Sequence, residues 1–219
     1  MKINKVVFSC SEEYSDFWNF NSKIFKKYLN IDPVCLLFGN KDNCNLSTEF
    51  GDIIEMKYID DLPKIIQLTW SKFYHTKTEL DTTWMIGDID QIPLQRDHFI
   101  KKISDIDSNT YVHLNEHYPE WKEEGEISDL PAHYHVAKGE IFNKILNLDI
   151  SFKEHIEHIV NNNHLYGVKR TNVALPIEKG LWCAEETRST ELIRKELDNI
   201  TFKGFKVNNP GDRICRSRM

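Results

Sequence analysis

Two aspartates one residue apart, Asp88 and Asp90, are the side chains of this sequence best suited to chemistry. They follow the run Trp84-Met85-Ile86-Gly87 and precede Gln91-Ile92-Pro93-Leu94. In an extended backbone alternate residues share a side, so both carboxylates project one way and Ile89 the other. Carboxylates held that close repel each other, and a hard divalent cation relieves the repulsion. Mn2+ or Mg2+ held by Asp88 and Asp90 can grip two phosphate oxygens and neutralise charge that develops on them. An Asp-x-Asp is also common in solvated turns. What sets this one apart is its position directly after a buried strand, because ligands of open α/β sheets sit beyond the carboxyl ends of the strands.

The elements that must position this pair follow from the hydrophobic pattern. Lys5 to Cys10 reads as a buried first strand opening into Ser9-Cys10-Ser11. Phe17, Phe20, Ile24, Phe25 and Tyr28 recur at helical intervals and predict a helix from about Ser15 to Leu29. Pro33 to Phe38 and Asp52 to Tyr58 read as strands. Asp60-Asp61-Leu62-Pro63 predicts a helix start, with a carboxylate cap and proline in the first turn, running to about Leu80. Thr82 to Ile86 is the strand that delivers Asp88. This alternation predicts an α/β fold with a mostly parallel, Rossmann-like sheet flanked by helices. In the second half, Tyr111 to Leu114 and His133 to Val136 read as strands. Glu140 to Leu148, Phe152 to Val160 and Glu185 to Leu197 read as helices, the last with Glu185 and Glu186 in its first turn, where the helix dipole favours anions.

With 219 residues, 40% hydrophobic and 28% charged, the chain suits one ordinary globular domain. The net charge of −6 and the scattered basic residues exclude a nucleic-acid footprint, apart from the short tail Arg213, Arg216, Arg218. No apolar run approaches the roughly 20 residues that span a bilayer, and the opening Met1-Lys2-Ile3-Asn4-Lys5 does not resemble a signal peptide. Five cysteines (Cys10, Cys35, Cys44, Cys183 and Cys215) without CxxC spacing read as reduced thiols, which points to a cytoplasmic protein.

The segment Trp84 to Leu94 resembles the strand that ends in the metal-binding Asp-x-Asp of GT-A-fold glycosyltransferases. Gln67-Leu68-Thr69-Trp70-Ser71-Lys72 is similar to the helix that carries a donor-phosphate Lys or Arg in glycogenin-like members, and Lys72 lies 16 residues before Asp88. An exposed helix lysine is the plainer reading of Lys72. Ser9 and Cys10 fall where that fold places the nucleotide base and ribose. Ala137-Lys138-Gly139-Glu140 resembles the segment that lines the donor sugar, though an ordinary helix start looks the same. Trp182-Cys183-Ala184-Glu185-Glu186 resembles the segment whose acid deprotonates the acceptor hydroxyl in inverting members. Aligned on the tryptophan, Glu186 takes the base position, where Asp is commoner. The late histidine that many members place on the metal is missing, since the last histidine is His164; Asp212, an asparagine of the tail or water would replace it.

The resemblance thus implies a single GT-A-like domain over residues 1–219, with a nucleotide-sugar-binding half (1–103) and an acceptor-binding half (104–219). It implies transfer of a sugar from a UDP-sugar to a saccharide or other hydroxyl acceptor, with Mn2+ or Mg2+. The donor set is Ser9, Cys10, Lys72, Asp88, Ile89, Asp90 and Gly139, and the catalytic acids are Glu186 and Glu185. His113, His117, His133 and His135 read as surface and acceptor-groove histidines, with His133, Tyr134 and His135 beside Trp121 lining a sugar cleft. Two alternatives stand beside this. A nucleotidyltransferase would also use carboxylate-bound Mg2+, yet Ser9-Cys10-Ser11-Glu12-Glu13 is acidic and lacks the glycines of an NTP loop. The other is a non-catalytic sugar-binding module of the same fold.

Overall fold

The computed structural model describes residues 1–116, 122, 129–162, 181 and 184–205. Seven strands form one sheet: β1 (Lys5–Ser11), β2 (Asp32–Phe38), β3 (Asp52–Met56), β4 (Thr83–Ile86), β5 (Thr110–His113), β6 (His135–Lys138) and β7 (Thr201–Gly204). Their order is β3-β2-β1-β4-β6-β5-β7, and β6 runs against the other six, so the sheet is mostly parallel as expected. The central strand β1 pairs on both sides, which requires a run buried on both faces; Val6, Val7 and Phe8 supply it.

Six α-helices cover the sheet among the described residues: α1 (Trp18–Lys23), α2 (Lys64–Thr76), α3 (Arg96–Phe99), α4 (Gly139–Leu146), α5 (Phe152–Asn161) and α6 (Ala184–Lys195). Strand alternation divides the core in two. Val7, Trp84 and Ile86 face Trp70, Phe73, Phe142, Ile156 and Ile193. Phe8 and Met85 face Trp18, Phe25, Phe99 and Val136. Each fully buried large apolar side chain contributes on the order of 2–3 kcal/mol, so the strand that carries the aspartates is anchored from both faces.

Several local expectations change. The Ser15–Leu29 helix is composite: a 3-10 segment (Glu12–Phe17), then α1, then a π-helical segment (Ile24–Leu29) ended by Asn30 in the left-handed region. Neither Asp60 nor Asp61 caps α2; the N-cap is Pro63, without a side-chain bond. The buried Gln67 amide does the fastening instead, accepting from Ile59 N (2.7 Å) and donating to the carbonyls of Ile59 and Leu62. β6 begins at His135 rather than His133, because Tyr134 takes a left-handed φ of 65° that no strand tolerates. Strand β7 and helix α3 were not expected. Each has four residues, too few to show a periodicity. No helix among the described residues is long and apolar enough to cross a membrane.

Candidate active site

β1 and β4 are parallel, so their carboxyl ends open at the same edge of the sheet, and a cleft of about 400 Å3 lies there. Ser9 and Cys10 reach it from β1, Lys72 from α2, Asp88, Ile89 and Asp90 from the turn after β4, and Glu185 and Glu186 from the start of α6. Eight of the nine residues singled out in the sequence therefore line one cavity, although they come from four separate elements.

The turn after β4 is held from below. Gly87 N donates to Val7 O (3.0 Å), and a Cβ on Gly87 would collide with the ring of Phe8, so only glycine lets the turn lie this close to β1. Ile89 is buried in the cluster with Phe8 and Phe25, and its carbonyl accepts from Asn21 Nδ2 at 2.5 Å. Burying Ile89 is what leaves Asp88 and Asp90, both half-buried, at the cleft wall.

Asp88 is gripped from two sides. Lys72 Nζ donates to Asp88 Oδ1 at 2.8 Å and lies 3.4 Å from Glu185 Oε1. His133 Nδ1 stands 3.6 Å from Asp88 Oδ2. The Asn115 amide lies 2.6 Å from His133 Nε2, and donation there leaves the ring proton on Nδ1, facing the carboxylate. Lys72 is only 3% exposed, which removes the surface-lysine reading. Burial pulls its ammonium down, but the charge of Asp88, and that of Glu185 after it, outweighs burial and raises it above the usual lysine value. Burial pushes Glu185 up to about 8, with Asp88 and Glu186 adding to the rise and Lys72 opposing it. At neutral pH Glu185 thus keeps its proton, and Asp88 is the counter-ion that keeps Lys72 charged.

The two glutamates differ in kind. Glu185 is buried behind Lys72. Glu186 is half-buried in the cleft, and its Oε1 accepts from Ala132 N at 3.4 Å. Ala132 and His133 belong to a segment locked by buried polar groups. The Pro131 carbonyl accepts from His113 Nε2 (3.0 Å) and His135 Nε2 (2.7 Å), Tyr111 hydroxyl pairs with His135 Nδ1 (2.7 Å), and Leu130 N donates to Thr190 Oγ1 (2.8 Å). His113 and His135 are fully buried, which corrects the surface reading of these histidines. Burial, with His113 adding to it, holds His135 well below the usual imidazole range, so it stays neutral and acts as a fastener. Tyr134 is buried as well, and only His133 of the three neighbours reaches the cleft.

Gly139 is the exception among the donor residues. Its N–H bonds to the carbonyl of Thr82, at the amino end of β4, six residues and roughly 20 Å of extended chain from Asp88. A Cβ there would strike the carbonyl oxygens of Thr76 and Glu79, so the glycine serves helix-on-helix packing, not the donor site. The antiparallel direction of β6 is the reason: the end that faces the cleft is its beginning, where Ala132 and His133 lead into it. Trp182, Cys183, His117, Trp121, His164 and the tail with Asp212, Arg213, Arg216 and Arg218 lie outside the described residues. The three described cysteines are free thiols.

Among the described residues no cluster of three or more His, Cys, Asp or Glu is close enough to hold a metal. The pair Asp88 and Asp90 still fits Mg2+ or Mn2+, which retain water and take one or two carboxylates plus substrate phosphates in place of an all-protein cage. Tyr14, Tyr58, Lys64 and Thr69 also line the cleft and were not singled out in the sequence. They come from the 3-10 segment after β1, from the chain after β3 and from α2, elements that only the folded chain brings to one cleft.

No family model and no curated protein matches the sequence. Among solved structures, the glycosyltransferase GlyE of Streptococcus pneumoniae TIGR4 is similar over 93% of this chain, with a TM-score of 0.50 and 11% identity. The fold is that of the GT-A glycosyltransferases. The chain spans 46% of the GlyE chain. The galactosyltransferase LgtC, solved in complex with donor and acceptor sugar analogs, matches over 83% of this chain and 70% of its own, with a TM-score of 0.49 and 12% identity.

Proposed function

We propose that this GT-A domain is a metal-dependent glycosyltransferase that moves a sugar from a nucleoside-diphosphate sugar, a UDP-sugar, to an acceptor hydroxyl. The observation that carries the reading is the convergence in one cleft of the Asp88–Asp90 pair, a buried lysine bonded to Asp88, and Glu186 at the helix start opposite. Asp88 and Asp90 would hold Mn2+ or Mg2+, which supplies charge neutralisation for a departing diphosphate. Lys72 orients Asp88 and adds positive charge behind the phosphates. Ser9, whose buried hydroxyl has no hydrogen-bond partner among the described residues, and Cys10 form the wall for base and ribose.

Glu186 is the acceptor's general base. It faces the cleft, whereas Glu185 is buried and keeps its own proton. Taking the acceptor proton as the sugar–phosphate bond breaks, from the face opposite the diphosphate, inverts the anomeric centre. Calorimetry with UDP, GDP and CDP in the presence of Mn2+ tests the donor class, and UDP is expected to bind most tightly. A clear preference for CDP would overturn it. UDP-sugar binding without Mn2+-stimulated hydrolysis or transfer would instead identify a non-catalytic sugar-binding module.

A further inference from the structure

Away from the cleft, the composite helix and α3 build a face with an unusual make-up. Phe20, Tyr28 and Leu94 are 54%, 45% and 61% exposed, half of the large hydrophobic side chains that the described residues leave exposed. They are contiguous: Tyr28 hydroxyl donates to Leu94 O (3.4 Å), and Arg96 Nε donates to Tyr28 O (3.0 Å). In an α-helix positions four apart share a face, and in the π segment, where the bond spans five residues, they stay nearly in line. Phe20, half-buried Ile24 and Tyr28 therefore form one apolar line along the helix.

Positive charge surrounds this line. Residues 20–28 contain Lys23, Lys26 and Lys27 and no acid; residues 94–102 contain Arg96, Lys101 and Lys102 against the single acid Asp97. The chain as a whole carries −6, so these two segments run against the general trend. Lys26 is paired with Asp32 and Lys101 with Asp97. Lys23 and Lys27 lie over the ring of Phe50, and Lys102 over that of Phe205, with no acid partner among the described residues.

Tyr28 and Leu94 share one groove with Arg96 and Lys102, and exposed aromatic and aliphatic side chains flanked by basic ones match a surface whose outer layer is anionic and whose interior is hydrocarbon. We infer that this face docks the protein peripherally on a bilayer containing anionic phospholipid. Phe20, Tyr28 and Leu94 insert at the headgroup boundary, and Lys23, Lys27, Arg96 and Lys102 lie over the phosphates. The inference is independent of the donor-site reading, since no residue of the cleft takes part.

Sedimentation with vesicles tests it. The protein should bind vesicles of phosphatidylcholine with 30% phosphatidylglycerol, bind pure phosphatidylcholine far less, and lose binding as salt rises. Lys23→Gln/Lys27→Gln/Lys102→Gln should lower partitioning on the order of 100-fold, from about fivefold per cation. Phe20→Ser/Leu94→Ser should lower it roughly tenfold or more with the charges intact. All these positions are exposed, and circular dichroism verifies that each variant is folded. Equal binding of both vesicle types, unchanged partitioning of the folded charge variant, or no vesicle binding would overturn the inference. So would a self-association by light scattering without lipid that Phe20→Ser/Leu94→Ser abolishes, since a second copy would then be the occupant.

Discussion

The two walls of the cleft are built by different physics. The wall from residues before 104 is carried by regular elements: β1 and β4 run in parallel register, buried on both faces, and set Ser9, Cys10, Asp88 and Asp90 at their ends. The facing wall, Leu130–His133 and the start of α6, is irregular. It is fixed by His113 and His135 on one carbonyl, by Thr190 on Leu130 N, and by Glu186 on Ala132 N. A wall hung on strands tolerates single polar changes, because its backbone stays anchored by apolar burial. A wall hung on buried hydrogen bonds does not, because each group left unpaired costs about 1–3 kcal/mol.

The largest expected effect belongs to the strand-built wall and is chemical, with the fold intact. Asp88→Asn should reduce Mn2+-dependent binding of nucleoside diphosphate by about 100-fold or more, read by calorimetry, and should also lower thermal stability, because the buried Lys72 ammonium loses its nearer counter-ion. Should Asp88→Ala and Asp90→Ala both keep that binding, neither carboxylate holds the metal.

Lys72 joins the two walls, so its removal should be felt in both. Lys72→Met strands Asp88 and Glu185 together and should lower folding stability by about 2 kcal/mol, after allowing for the partly solvated Asp88. It should also weaken donor binding by roughly 1.5–3 kcal/mol. Urea denaturation and calorimetry on the same variant check the pair of losses, and unchanged values in both would separate Lys72 from the site.

On the opposite wall, Glu186→Gln should cut transfer by about 10²-fold while donor affinity holds. NMR of the product anomer accompanies it. A retained configuration would take Glu186 out of the base role and leave Asp88 and Asp90 as they are.

A further effect is on stability against pH, and it rests on His155, a buried histidine of the second half. His155 packs on Trp70 with ring centroids 4.2 Å apart, and burial, with Arg188 and His158 adding to it, brings it from 6.5 down to about 3. Between those values the unfolded chain binds a proton that the folded one refuses. Stability should therefore fall as the pH drops from about 6.5 toward 3, by up to about 1.4 kcal/mol per pH unit. Urea midpoints from pH 7 to 4 should show the slope, and His155→Phe should flatten it. A slope unchanged in the variant would assign it elsewhere.

By itself the sequence determined the first wall. The apolar run Trp84-Met85-Ile86, closed by Gly87, reads as a buried strand, which puts the acids after it at a sheet edge, and the 16-residue step from Lys72 spans the end of one helix, one turn and one strand. Tertiary structure decided the rest. Whether Gly139 or Ala132 faced the cleft depended on the direction of β6, which pairing sets and composition does not. The histidines read as surface groups because a polar side chain carries no mark of burial; the shared carbonyl of Pro131, with Tyr111 on His135 and Asn115 N on His113, satisfies the ring nitrogens that burial cuts off from water. Glu185 and Glu186 are chemically identical neighbours. A helix turns about 100° between them, which aims one at Lys72 in the interior and the other into the cleft, and only the packing of α6 chooses which.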